Sequence, residues 1–272
     1  MKKFLLVFTI LTVAFSAFSQ DSTKVAAPKK TGPTAEEIMK RNEKKQERIN
    51  KANEIDKKFA KYSKDHIYVD LLATNWNFHP NNGDLRWGVA GQTLQTKLYS
   101  RGINIGFNWD FRIKGSRVSI APGVAYSSTN IYERSAMTDS AGTGISFKSL
   151  SYGSDTTVKV NKIALQYFEI PLELRIRSNP DKFGNMWKVA VGFKAGVRVD
   201  VHTKEKLKEG SLAKVFVERR YPDFNLFRMG PTIRVGYSFF NITAYYGVLN
   251  LFKANLGPKA NEFAFGISLT AL

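Results

Sequence analysis

What most constrains this chain is an alternation that runs from His66 to Leu272. Segments of roughly ten residues place apolar side chains in one register and Gly, Thr, Asn and charges in the other, joined by connections that are alternately long and very short. In the second segment Ile103, Ile105, Phe107, Trp109, Phe111 and Ile113 share one face, and Gly102, Asn104, Gly106, Asn108, Asp110 and Arg112 share the other. Phe168, Ile170, Leu172, Leu174 and Ile176 alternate in the same way with Tyr167, Glu169, Pro171, Glu173, Arg175 and Arg177. Val189, Val191, Phe193, Val197 and Val199 oppose Lys188, Gly192, Lys194, Gly196, Arg198 and Asp200. Phe227, Met229, Ile233 and Val235 oppose Arg228, Gly230, Thr232 and Arg234.

Eight strands follow from this pattern, at 66–76, 99–114, 116–128, 160–177, 186–202, 223–237, 239–250 and 261–272. Long connections fall at 77–98, 129–159, 203–222 and 251–260; short ones fall at 114–117, 178–185 and around Ser238. The spacing predicts an all-β fold over 66–272, an eight-stranded antiparallel up-and-down transmembrane β-barrel with lipid outside and a polar interior. An even number of strands places both ends of the domain on one side, with the tight turns toward the periplasm and the long loops outward. The competing architecture is a soluble periplasmic barrel with the apolar face inward. Against it stand strands of about fifteen residues, well beyond the usual five or six of soluble sheets. Glycines also occupy the charged register, where a narrow lumen needs small residues beside long ones. Trp76, Tyr99, Tyr126, Trp187, Tyr237, Phe239 and Phe252 fall near strand ends, as interfacial girdles do.

The residues before the barrel divide into three. A basic start (Lys2, Lys3), an apolar run from Phe4 to Phe18 and a small-residue site near Ser19 predict a signal peptide over 1–20. Residues 21–33, with two prolines and few bulky apolar groups, predict a disordered linker. A charged periplasmic helix is predicted over 34–62, opened by the capping-box spacing of Thr34 and Glu37. Its apolar stripe is Ile49, Ala52, Ile55, Phe59 and Tyr62, a candidate partner face that could also dock on the rim of the barrel. The chain contains no cysteine, so a disulfide framework is excluded.

The formal charge of +18 implies an anionic neighbour. For an exported protein the candidates are the lipopolysaccharide phosphates of outer-membrane lipid, acidic partner proteins of the envelope and cell-wall polymers; no nucleic-acid module and no small-molecule substrate are evident. The basic connection Thr203–Pro222, with Val215, Phe216 and Val217 at its centre, suggests strands that continue past the membrane as a hairpin able to meet lipopolysaccharide phosphates. The second long connection is rich in Ser, Thr and Gly and reads as a mobile loop.

An eight-stranded barrel has an interior just wide enough to be filled by side chains. The inward register supplies Asp110, Arg112, Glu169, Glu173, Arg175, Arg177, Lys194, Arg198, Asp200, Arg228 and Arg234 as a lumen charge network. The excess of basic groups among them leaves a narrow water-filled anion channel as the alternative. Chemistry is sparse. Asp200 and His202 sit two apart on one strand, a spacing some outer-membrane proteases use, with His79 and Asp84 in the first long loop as conceivable partners. No catalytic, cofactor or metal site is assigned, and the protein is expected not to be an enzyme.

The run Phe168-Glu169-Ile170-Pro171-Leu172-Glu173-Leu174-Arg175 resembles the central-strand "EIPL" stretch of the PorT-like family of small outer-membrane barrels. Lys194-Ala195-Gly196-Val197, Met229-Gly230-Pro231 and the closing Phe263–Leu269 run are similar to it as well, over about residues 66–272. The closing Leu272 departs from the terminal aromatic of many such barrels. The resemblance implies a structural or accessory role beside protein secretion or envelope assembly, while the alternation, the even strand count and the signal peptide imply the outer membrane of a Gram-negative bacterium with the tail, which lies outside the resemblance, in the periplasm.

Overall fold

The computed structural model describes residues 34–62, 65–78, 100–133, 135–140, 144–149, 156–219 and 223–271. The signal peptide expected at 1–20, the linker at 21–33 and most of the first long connection, including His79, Asp84 and Tyr99, lie outside the described residues. So do Leu272 and the side chains of Phe59 and Tyr62.

The chain divides into two compact units, Met1–Glu47 and Arg48–Leu272. The described part of the first is the opening of helix α1 (Ala35–Tyr62). Thr34 caps it: its N–H donates to the Glu37 carboxylate at 3.2 Å, and its carbonyl accepts from the Ile38 N–H at 3.0 Å. Glu36 and Glu37 occupy the first turn, where negative charge complements the helix dipole.

The second unit carries strands β1 (Ile67–Phe78), β2 (Arg101–Asn108), β3 (Phe111–Arg112), β4 (Val118–Tyr132), β5 (Ser135–Ser140) and β6 (Gly144–Ser149). They are followed by β7 (Thr156–Arg177), β8 (Trp187–Glu209), β9 (Leu212–Arg219), β10 (Phe227–Tyr237), β11 (Phe240–Tyr246) and β12 (Ala260–Ala271). The wall is a closed ring of eight antiparallel strands in the order β1, β2 with its continuation β3, β4, β7, β8, β10, β11, β12. Pairing of β8 with β10 and of β12 with β1 shuts it, with Ile67 opposite Ala271 and Phe78 opposite Ala260. Closure satisfies the backbone groups at both ends of the sheet, which hydrocarbon demands. Tight turns gather at one end, including a two-residue turn in which Ser238 takes φ 56°.

Of the long connections, one matches expectation and one departs from it. Strand β8 runs for 23 residues and turns at Gly210 into β9, giving the projecting hairpin anticipated from Val215–Val217. The second long connection is not simply a mobile loop: it holds the hairpin β5–β6, and Met137, Ile145 and Phe147 from it are buried.

Over most of the ring the wall is turned inside out relative to a soluble protein. Phe168, Ile170, Leu172, Leu174 and Ile176 project outward, Ile170 with 67% of its surface exposed, while Glu169, Glu173, Arg175 and Arg177 are buried between them. Only a hydrocarbon solvent makes such a pattern favourable. Small residues make the narrow interior possible. A Cβ on Gly106 would fall inside the ring of Tyr68, and one on Gly196 would meet Glu169 Cγ at 2.9 Å.

The pattern reverses near the loop end. Above Tyr167 the inward residues of β7 are Leu165 and Ile163, and the outward ones are Gln166 and Lys162. On β4 the outward series Ile120, Val124, Tyr126 gives way to Ser128 and Asn130, and inward Ser127 and Thr129 give way to Ile131. The chain here has left lipid and built an ordinary water-facing core.

A lysine at position 170, in the middle of the apolar belt, is expected to destabilise the barrel by about 2–4 kcal/mol, whereas Gln166→Lys, above the reversal, costs about 0–1 kcal/mol. Urea unfolding in lipid vesicles checks this; equal costs would place the belt elsewhere.

Candidate functional site

Among the described residues the lumen is where the fold concentrates chemistry, and its side chains stack in layers from the turn end upward. At the turn end Asp65, just before β1, accepts from Lys188 Nζ at 2.8 Å and lies 3.4 Å from Arg177. Arg177 also meets Asp110 at 2.8 Å and donates to Ser119 Oγ at 2.8 Å. In the next layer Arg175 reaches Glu173 at 2.9 Å, and Arg234 bridges Glu173 at 2.7 Å and Asp70 at 3.2 Å. Above that, Glu169 holds Lys194 at 3.1 Å and Arg228 at 2.6 Å, while Arg228 crosses to Glu262 at 2.9 Å and donates to Ser127 Oγ at 2.7 Å. Aromatic faces take up the remaining sides of the cations. The Arg234 guanidinium lies 4.5 Å from the Tyr68 ring, Arg228 lies 4.2 Å from Tyr167, and Lys194 lies 4.1 Å from Tyr245.

The structure therefore brings together Asp110, Glu169, Glu173, Arg175, Arg177, Lys194, Arg228 and Arg234. It places two sequence candidates, Arg112 and Asp200, elsewhere. Arg112 points to the rim, where it bonds Asp56 of α1 at 3.2 Å. Arg198 is half-buried in the inward register, opposite Tyr167.

Asp200 is on the outer face, which corrects its assignment to the lumen. Tyr167 pairs with Arg198 but Gln166 pairs with Asp200, so Val199 is an extra residue on β8. This β-bulge turns Asp200 outward with Gln166 and brings Val201 in. There Asp200 meets His202 Nδ1 at 2.7 Å.

Sequence reasoning missed Asp65, Asp70, Glu262 and Lys188. Asp70 had a signal, as an acid in the inward register of Tyr68 and Thr74, but the register of β1 looked unclear; Glu262 sits at the start of the last strand with one alternation to mark it. With these included, Asp65, Asp70, Asp110, Glu169, Glu173 and Glu262 balance Arg175, Arg177, Lys188, Lys194, Arg228 and Arg234 one for one. Arg198 is the one further inward cation among the described residues, so the basic excess that suggested an anion path shrinks to one. The cavity lined by Tyr68, Asp70, Glu173, Lys194 and Arg234 has a volume of about 20 Å³, room for a water molecule or two.

Each end of the lumen has further contacts. At the turn end Ala52 of α1 lies against Gly115, and the Asp56 carboxylate accepts from the Gly115 N–H at 3.1 Å; a side chain at 115 would collide with Ala52. Of the stripe on α1, Ala52 and Ile55 are half-buried and Ile49 is exposed. At the loop end Trp76, Ile131, Phe147, Leu165, Val201, Phe224 and Phe252 form one apolar cluster, with Phe224 and Phe252 rings 4.7 Å apart. Trp76 and Phe252 are therefore core residues here and not part of an interfacial girdle, whereas Trp187 and Phe239 project outward at the turn end.

Glu133 lies just past β4, beyond the lipid-facing wall. It is almost fully buried, and its carboxylate oxygens have no hydrogen-bond partner among the described residues. Burial pushes its carboxyl up to about 8. Among the described residues no cluster of three or more His, Cys, Asp or Glu could hold a metal ion.

The sequence model of a family described as "Outer membrane protein beta-barrel domain" matches residues 72–253. No curated protein matches the chain. Among solved structures, the crystal structure of Ail, the attachment invasion locus protein of Yersinia pestis, in complex with the heparin analogue sucrose octasulfate, is similar to it. The identity is 11%, the alignment covers 76% of this chain and 97% of that one, and the TM-score is 0.32.

Glu169→Ala strands Lys194 and half of the Arg228 contacts in a low-dielectric interior, and is expected to destabilise the barrel by about 3–5 kcal/mol. Glu169→Met combined with Lys194→Met recovers part of that loss in the same unfolding assay. For Glu133 the sign runs the other way from an ion-paired acid. Its folded value lies above the ordinary 4.5, so stability falls as pH rises from about 4.5 to about 8 and then levels off. Glu133→Gln is expected to flatten that fall in thermal melts recorded from pH 4 to pH 9.

Proposed function

The chain belongs to the outer-membrane β-barrel family, and from that premise we propose that it is a non-enzymatic structural or accessory component of an envelope or protein-secretion assembly. The observation that carries this reading is the filled lumen. A barrel whose interior is occupied by paired charges and capped by an apolar cluster offers its outside, and not its inside, to partners.

Among the described residues two surfaces remain for contact. On α1, Ile49 is exposed, and the part of the helix from Arg48 on lies on the side of the tight turns, which this reading places in the periplasm of a Gram-negative cell. On the hairpin β8–β9, Leu212, Val215, Phe216 and Val217 are each at least half exposed on the other side. Membership of the PorT-like group is supported by the Phe168–Arg175 run, where Ile170 and Leu172 form the lipid face and Glu169 and Glu173 anchor the lumen network.

Planar-bilayer recording of the purified barrel is expected to show no steady conductance; large stable steps would mean a channel instead. Photo-crosslinkers at Ile49 and Phe216 in intact cells are expected to trap envelope proteins that a crosslinker at lipid-facing Leu172 does not. Identical products from all three positions would defeat the accessory role.

A further inference from the structure

Just above the level where the wall reverses its polarity, the outer face of β2, β4, β7 and β8 carries cations set against one another. Lys162 and Lys204 are directly opposite across the β7–β8 ladder, an arrangement that like charges disfavour. One ladder step below, Arg101 stands on the row Arg101, Asn130, Ala164, His202. Arg101 lies 5.9 Å from the Tyr132 ring, and Lys162 donates to Asn130 Oδ1 at 2.7 Å. Lys162 stands outside the lipid belt, and its ammonium is held below the ordinary lysine value by burial first, then by Lys204 and Arg101. Among the described residues no acid pairs with any of the three. The nearby acid on this face, Asp200, is engaged by His202.

The row beneath the cluster is mixed, with Ile103 and Val199 exposed beside Ser128, Gln166 and Asp200, and one row lower the outer wall turns apolar at Ile105, Phe168 and Val197. A ligand that fits both levels has an acyl portion for those side chains and a phosphate for the cations. We infer that Arg101, Lys162 and Lys204 form a binding site on the outer wall for the phosphate of a phosphorylated glycolipid of the outer leaflet. A soluble phosphate would satisfy the charges but leave the apolar wall below unused. The site relies on the membrane placement of the barrel, and on the orientation proposed above only for which leaflet it meets.

Three cations near an anionic headgroup contribute about 1 kcal/mol each, so losing two lysines is expected to weaken binding on the order of tenfold or more. The full chain in nanodiscs of zwitterionic lipid is titrated with bis-phosphorylated lipid A, with the same lipid after phosphate removal, and with inorganic phosphate, and bound lipid is counted by native mass spectrometry. Saturable binding of the phosphorylated lipid that falls tenfold in the Lys162→Gln, Lys204→Gln variant supports the site. A second pair, Lys206→Gln with Lys208→Gln, farther from the belt, is expected to change it less than threefold. Equal binding of the dephosphorylated lipid overturns the proposal without any variant. So does unchanged affinity in a Lys162, Lys204 variant that keeps its heat-modifiable gel migration, equal loss in both pairs, or displacement by inorganic phosphate at the concentration of the lipid. Nanodiscs expose both leaflets, so this result is independent of orientation, which accessibility labelling at Phe216 in intact cells reads separately.

Discussion

The contact on which the rest depends is the one around Glu169, which binds Lys194 and Arg228 while Arg228 reaches across the barrel to Glu262. A wall that faces hydrocarbon pushes its polar residues inward, and eight strands leave too little width for bulk water to solvate them. Each charge must then be neutralised by a side chain from another strand. β7 supplies two of the acids, Glu169 and Glu173, and both reach cations on β10, two strands away. The network thus ties non-adjacent strands together, which backbone pairing in a ring cannot do.

Two further layers complete this interior, and each follows from its own solvent. Toward the tight turns, Asp65 gathers Arg177 and Lys188 at the mouth, and Asp56 of α1 holds Arg112 and the Gly115 turn. Toward the long loops, where water replaces lipid outside, the interior becomes apolar, and hairpin β5–β6 contributes Ile145 and Phe147 to it. The Ile145 N–H donates to the Leu256 carbonyl at 2.9 Å, so two loops distant in sequence are joined over the lumen. Polar centre and apolar cap are two answers to one requirement, that no part of the wall present the wrong face to its surroundings.

The ring of strands was legible because lipid imposes a strict alternation, and in β2, β7 and β10 the two registers separate cleanly. Glu173, Arg175 and Arg234 could be placed in the lumen from that alone. The sequence did not reveal the pairing, because partners such as Asp70 and Arg234 lie far apart in the chain and meet only once the ring closes. The cap was missed for a related reason. Short segments around Met137 and Phe147 look like polar loop until β1, β7 and β8 bring Trp76, Leu165 and Val201 over them. Trp76 and Phe252 were misread because an aromatic near a strand end suits an interfacial girdle and a core equally well.

The extra residue at Val199 has a consequence for how one chain can serve two solvents. Strand β7 changes face by changing its residues: odd positions are charged below Tyr167 and aliphatic above it. Strand β8 keeps small or polar residues at even positions and apolar ones at odd positions from Lys188 to His202 across the same boundary, and the insertion slips its phase by one. Neighbouring strands thus reach the same transition, one through its alphabet and the other through its count. Removing the codon for Val199 would leave every other letter of β8 intact and yet point its upper half the wrong way, Val201 to water and Lys204 into the cap.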